Sequence, residues 1–218
     1  MIIGFVGFIG SGKGTLGTIL EERGFIKESF AKSVKDAISV IFGWRRDLLE
    51  GETEESRVFR ETPDPIWSSQ LGRTFTPRDA LQLMGTESGR NVFHKDIWSY
   101  SLFNRIRDRI LTNDFVITDV RFPNEIKMIK DHGGEVYHVQ RGKLPSYFNK
   151  AKEMNNFYKF DVPVEYQTLV TPDWHPVHYS EWAWIGYPLI NPKIIVNSGT
   201  GIDHLRETLY NMVDNLAE

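Results

Sequence analysis

The chain has 218 residues, no cysteine, and 26 Lys and Arg against 29 Asp and Glu, a formal charge of −3. That length suits one domain with room for an inserted lobe, and it can bury a sizeable core without covalent staples. Zero cysteines exclude a disulfide scaffold, a Cys-ligated zinc site and a thiol nucleophile, and the near-balanced charge argues against a nucleic-acid-binding surface. No run of about 18 apolar residues is present, so no membrane span is expected. The opening Met1–Val6 lacks a basic stretch and runs into a glycine loop, which is not the pattern of a signal peptide. The expectation is a soluble cytoplasmic protein.

Ile2 to Val6, apolar and β-branched, predicts a buried parallel strand. Gly7 to Thr15 is a glycine-rich turn, and Leu16, Ile19 and Leu20 then repeat at helical spacing until Gly24. Phe25 to Phe30 is a second strand candidate, and Val34, Ala37, Ile38 and Ile41 predict a helix from Ala31 to Phe42. Charges of both signs crowd residues 45–61, which read as a solvated excursion with room for a short helix. Thr76-Pro77 is an N-cap with proline at the first helical position, opening a helix through Ala80, Leu81 and Met84. A further helix is expected over Lys95–Leu111, a strand over Phe115–Ile117, a helix over Asn124–Asp131 and a strand over Val136–Val139. Residues 141–191 break all periodicity with aromatics and prolines, which suggests a functional segment or helices without a pattern. Lys193–Val196 and Ile202–Leu216 close the chain as strand and helix. Alternating strands and helices predict an α/β domain with a mostly parallel central sheet flanked by helices, and excursions at one end.

The strongest local signal is Gly7-Phe8-Ile9-Gly10-Ser11-Gly12-Lys13-Gly14-Thr15. Glycines let successive N–H groups turn inward around an anion, and the helix that follows adds its positive end. Gly10, Ser11, Gly12, Lys13, Gly14 and Thr15 are therefore candidate ATP ligands, with Lys13 reaching the β- and γ-phosphates and Thr15 on Mg2+. The strict motif has Ser or Thr directly after the lysine; here Gly14 intervenes, an ending that resembles the P-loop of nucleoside monophosphate kinases. Thr118-Asp119 ends an apolar strand, where such proteins place the acid that orients magnesium. Arg121 faces the same crevice; a salt bridge to Glu125 or Asp119 is its structural alternative.

Asp119-Val120-Arg121-Phe122-Pro123-Asn124-Glu125 resembles the matching segment of the phage deoxynucleoside monophosphate kinases. Ser29-Phe30-Ala31 with Lys35, Arg78 through Leu81-Gln82 to Gly85-Thr86-Glu87 and Arg90, His178-Tyr179-Ser180-Glu181, and Asn197-Ser198-Gly199-Thr200 are similar to that family in the same order. Residues 141–175 match nothing, Tyr179 stands where proline is expected, and Ile9 stands where proline is frequent in such kinases. The resemblance implies one P-loop kinase domain with a helical acceptor-binding insertion at about 45–111 and a lid at about 141–191. It implies transfer of the γ-phosphoryl of ATP, with Mg2+, to a deoxynucleoside 5′-monophosphate. The partners implied are deoxynucleoside monophosphates, with no nucleic acid and no membrane, and a homodimer is open. Host cytoplasm is the implied location if the chain is phage-encoded.

Charge logic agrees with a phosphate acceptor: a dianion lying close to another polyanion needs cations around it. Arg78, Arg90, Arg121, Arg141 and Lys35 are candidates, with Arg141 assigned to ATP and the solvated helix face as the alternative for each. Gln82 offers donor and acceptor to a base edge. Trp98 either stacks on the base or packs in the core. His178 and Glu181, three apart, can share a helical face in a lid or supporting role, and Glu181 is grouped with the acceptor ligands. Two other readings stay open: a P-loop kinase of another small metabolite, and a nucleotide-dependent switch or ATPase.

Overall fold

The structure, a computed structural model, describes residues 1–199 and 201–217. Thr200, part of the segment resembling the family's last motif, lies outside the described residues. In chain order the elements are β1 (Ile2–Val6), α1 (Lys13–Glu22), β2 (Ile26–Glu28), α2 (Lys32–Phe42), α3 (Glu54–Glu61), α4 (Pro65–Leu71), α5 (Pro77–Gln82), α6 (Ile97–Ile106) and β3 (Phe115–Ile117). They continue with α7 (Pro123–Asp131), β4 (Glu135–Gln140), α8 (Phe148–Phe157), β5 (Thr168–Val170), β6 (Pro176–His178), β7 (Asn191–Val196) and α9 (Ile202–Ala217). The chain divides into two compact units, Met1–Glu28 with Arg109–Glu218, and Ser29–Asp108.

The first unit is built on a five-stranded sheet of order β2-β3-β1-β4-β7. Every pairing in it is parallel. The central strand β1 is buried at all five positions, which is why its sequence shows an unbroken apolar run rather than alternation. Ile3, Phe5, Leu16, Ile19 and Leu20 pack with Val116, Val139 and Ile195 from neighbouring strands and with Leu205, Leu209, Met212 and Val213 of α9. The predicted strand at Phe25–Phe30 is shorter than expected, only Ile26–Glu28 pairing with β3.

Residues 141–191 are ordered, not periodic. They hold α8, the antiparallel pair β5–β6, and a buried run from Trp182 to Ile185. The fastener is polar: fully buried Asn155 on α8 donates through Nδ2 to the carbonyls of Trp182 and Ile185, each at 3.0 Å. The shared helical face expected for His178 and Glu181 is not formed. His178 ends β6, Tyr179–Glu181 is a 3-10 turn, and His178 Nδ1 accepts from the Ser180 amide at 3.2 Å.

The second unit is helical around Val34, Ile38, Trp44, Leu49, Phe75, Ala80 and Trp98. Its short helices are set by their caps. Thr53 accepts from Ser56, Asp64 from Trp67 ahead of Pro65, and Thr76 from Asp79 ahead of Pro77. The stretch 45–61, expected as a solvated excursion with room for a short helix, contains α3, with buried Leu49 between ion-paired Asp47 and Glu50, and α4 follows it. α5 runs directly into an 11-residue π-helix, Leu83–Phe93, a rare form that usually appears as single turns and often at functional sites. The helix expected over Lys95–Leu111 spans Ile97–Ile106 and stops where the exposed charges Arg107, Asp108 and Arg109 follow, Leu111 being 95% exposed.

Candidate active site

β1 delivers the glycine loop to the carboxyl edge of the parallel sheet, the edge at which open α/β folds bind ligands. Gly10 at φ 77° and Gly12 at φ 103° take left-handed conformations that a side chain would strain, and they turn the backbone inward. α1 starts at Lys13, so its first N–H groups, which have no intrahelical acceptor, and its positive end face this loop. Lys13 Nζ donates to the carbonyls of Gly7 at 2.7 Å and Phe8 at 2.9 Å. Burial lowers its pKa to about 8, Arg121 pushing the same way and Glu181 and Asp119 opposing. From beyond β7, Asn197 Nδ2 donates to the Ser11 carbonyl at 3.1 Å and fastens the loop. Phe8 is wedged among His138, Tyr147, Phe148 and Trp184 with ring centroids 5.1–6.3 Å apart. Enclosed beside it, His138 has its pKa lowered to about 4 by burial and by the charge of Lys13.

β3 lies beside β1 in parallel register, Gly4 opposite Ile117, so Asp119 emerges at the same edge as the loop. Helix α1 approaches closely there because Gly17 has no side chain; a Cβ would sit 2.5 Å from Thr118 Cγ2. The Asp119–Glu125 segment has a clear structural logic. Pro123 opens α7, and the buried Glu125 carboxylate accepts from the amides of Arg121 at 2.7 Å and Phe122 at 3.0 Å. Glu125 thus meets the Arg121 backbone, while the Arg121 guanidinium donates to Glu181 Oε1 at 2.5 Å. Burial pulls the Arg121 pKa down, but the charge and hydrogen bond of Glu181 outweigh it and leave it raised.

A cavity of about 400 Å³ opens beside the loop, lined by Phe8, Ile9, Gly10, Ser11, Arg141, Lys143, Pro145, Tyr147, Val177 and Glu181. Ser11 Oγ is buried and has no hydrogen-bond partner among the described residues. An orphaned hydroxyl inside a glycine cradle, with Lys13 behind it and Arg141 and Lys143 at the wall, fits the phosphates of a nucleotide. The oxygen donors of Thr15, in the first turn of α1, and Asp119 are of the hard type that magnesium takes. Lys143, Pro145, Tyr147 and Val177 are lining residues that were not among the sequence candidates. Lys143, two positions after Arg141, was the one with a local signal.

The other site candidates fall on the second unit, except Glu181. Lys35 on α2 donates to Glu50 at 2.5 Å, and Arg78 in the first turn of α5 pairs with Glu61. Gln82 ends α5, and Arg90 on the π-helix donates to the Lys95 carbonyl at 2.9 Å. Trp98 is buried in the core of this unit, its indole N–H donating to the Gly85 carbonyl at 2.7 Å, so its ring serves packing there.

A parallel sheet that presents a lysine-bearing glycine loop and a helix N-terminus at its carboxyl edge, with an acid at the end of the adjacent strand, defines a P-loop nucleotide-binding protein. A protein of Acanthamoeba polyphaga mimivirus described as a deoxynucleotide monophosphate kinase is 34% identical over 157 residues, 67% of this chain and 77% of that protein. The chain belongs to the deoxynucleotide monophosphate kinase family. Deoxynucleoside-5′-monophosphate kinase of Escherichia phage T5 is 32% identical over 142 residues, 64% of this chain and 46% of that protein, so the chain matches less than half of that relative. No family model matches. Among solved structures, a Chloroflexus aurantiacus protein described as a kinase aligns over 98% of this chain and 96% of its own at 10% identity, with a TM-score of 0.40. Dephospho-CoA kinase of Campylobacter jejuni aligns over 99% and 96% at 16% identity, with a TM-score of 0.37.

Proposed function

We propose that this chain transfers the γ-phosphoryl group of ATP to the 5′-phosphate of a deoxynucleoside monophosphate, giving the diphosphate. The observation that carries the reading is that one unit holds the glycine cradle with Lys13, Asp119 and Arg121 close to one another, beside a cavity lined by Ser11, Arg141 and Glu181. Gly10 to Thr15 bind the ATP phosphates through backbone N–H groups, and Ser11 Oγ gains the partner it lacks. Thr15 and Asp119 would hold magnesium, which when bound would supply positive charge to the phosphates. Lys13 exchanges its two loop carbonyls for phosphate oxygens, and Arg121 stabilises charge on the group in transfer. No protein base is required, because the acceptor phosphate is already ionised and catalysis is positioning plus electrostatics. Lys35, Arg78, Gln82 and Arg90 are the proposed acceptor ligands, with Trp98 as the wall behind them. A phosphate acceptor accounts for this set of cations better than a neutral metabolite does. No described helix is long and apolar enough to cross a membrane, and the proposed setting is the cytoplasm of the cell that supplies ATP.

Coupled assays over four deoxy and four ribo monophosphates, with the product identified, test the reading. Deoxynucleoside diphosphates are expected, at kcat/KM roughly ten- to a hundredfold above the ribo series, the cost of leaving one hydroxyl desolvated and unpaired. Equal values would remove the sugar preference. Phosphorylation of none of the eight would remove the proposed function.

A further inference from the structure

The cavity beside the glycine loop suits a polyanion, yet one of its lining residues carries the opposing charge. Among the described residues that line it, Glu181 is the acidic one, alongside the cations Arg141 and Lys143. It is held firmly. It ends the 3-10 turn Tyr179–Glu181 between buried Tyr179 and Trp182, and the capping His178 fixes that turn from the other side. Its Oε1 accepts from Arg121 Nη1, and its charge is felt by Lys13 and by the Tyr147 hydroxyl, whose pKa burial and this carboxylate push up to about 12. A carboxylate facing a phosphate site costs affinity, so it needs a compensating role.

We propose that Glu181 is a specificity-determining positioning residue: it holds Arg121 at the edge of the cavity and sets the charge balance so that the site takes a metal-complexed nucleoside triphosphate over a metal-free polyphosphate. This rests on the kinase reading above. Metal-free polyphosphate carries more negative charge than its magnesium complex and is repelled more strongly by a fixed carboxylate a few ångströms away. Lys13, Arg121, Arg141 and Lys143 alone would welcome any polyanion. With Glu181 and Asp119 among them the excess positive charge is smaller, and a ligand that brings its own cation gains the advantage. Glu181 also keeps Arg121 preorganised, so Arg121 need not be ordered during transfer.

Glu181→Gln isolates the charge, since the amide oxygen still accepts from Arg121 in nearly the same volume. Glu181→Asp keeps the charge and shortens the arm. Calorimetric titration of the full chain with inorganic tripolyphosphate, in chelator and in excess magnesium, reads the effect without any acceptor or turnover. E181Q should tighten metal-free binding by roughly three- to tenfold, about 0.7–1.4 kcal/mol, and leave binding in magnesium within about twofold. E181D should keep the wild-type ratio between the two conditions. In steady state E181Q should lower kcat while the KM for ATP stays level or falls. Metal-free binding that is unchanged or weaker in E181Q overturns the proposal, as does wild-type protein that binds no tripolyphosphate. An effect of E181Q confined to the KM of the monophosphate would also overturn it, placing Glu181 on the acceptor. Failure of the kinase reading shows separately, as wild-type protein that binds tripolyphosphate but phosphorylates no monophosphate.

Discussion

Lys13 carries the most information of any single side chain here. Half-buried against loop carbonyls, it has its pKa lowered by desolvation to about 8, below the ordinary lysine range. A bound polyphosphate favours the charged form and raises that pKa, so ligand binding above about pH 8 must draw a proton from solvent. Affinity therefore falls as pH rises through about 8 and levels off below about pH 7. Calorimetry in two buffers of different ionisation enthalpy should find proton uptake near pH 8.5 and none from this group near pH 6.5. In Lys13→Met the uptake should vanish and transfer should drop by orders of magnitude, with the fold retained. Uptake that persists in the variant would assign the proton to another group. Glu125 acts on the backbone of its own turn. Replacing it with Ala leaves the Arg121 and Phe122 amides without their acceptor and should cost roughly 1–3 kcal/mol, read as a lowered urea midpoint. Because those amides fix where Arg121 starts, kcat should fall as well. An unchanged midpoint would mean that water replaces the carboxylate.

At the scale of elements, legibility followed local signal. β1, the glycine loop and α1 are contiguous and each declares itself, by an apolar run, by glycines and by helical spacing. β3 and Asp119 were readable for the same reason. The segment 141–191 was not, because α8 is fastened by a polar residue: its buried positions are Ala151 and Asn155, which make no apolar stripe. α3 and α4 are 8 and 7 residues long, too short for periodicity to show, and are set by caps instead. Asn155→Leu tests the polar fastener. Two buried carbonyls lose their donor, which should cost about 2–4 kcal/mol in urea denaturation and make the 141–191 segment more sensitive to protease. A neutral or stabilising outcome would mean that the apolar run Trp182–Ile185 holds the segment unaided.

For the whole molecule, the division into two units was hidden from sequence, because the boundaries at Glu28 and Asp108 carry no linker composition and the separation is a matter of contacts in space. The insertion expected at about 45–111 compares with a unit that begins at Ser29 and so includes α2 and Lys35. The proposed division of labour assigns the donor nucleotide to the first unit and the acceptor cations to the second. A kinase built this way should release ADP only when an acceptor is phosphorylated, which separates it from a switch or an ATPase on the same loop. The most direct measurement is therefore ADP formation from magnesium ATP by the full chain, with and without each deoxynucleoside monophosphate, followed alongside diphosphate product. Negligible ADP is expected without acceptor, and one ADP per deoxynucleoside diphosphate with it. ADP released at the same rate whether or not an acceptor is present, with no diphosphate formed from it, would rule out the proposed transfer.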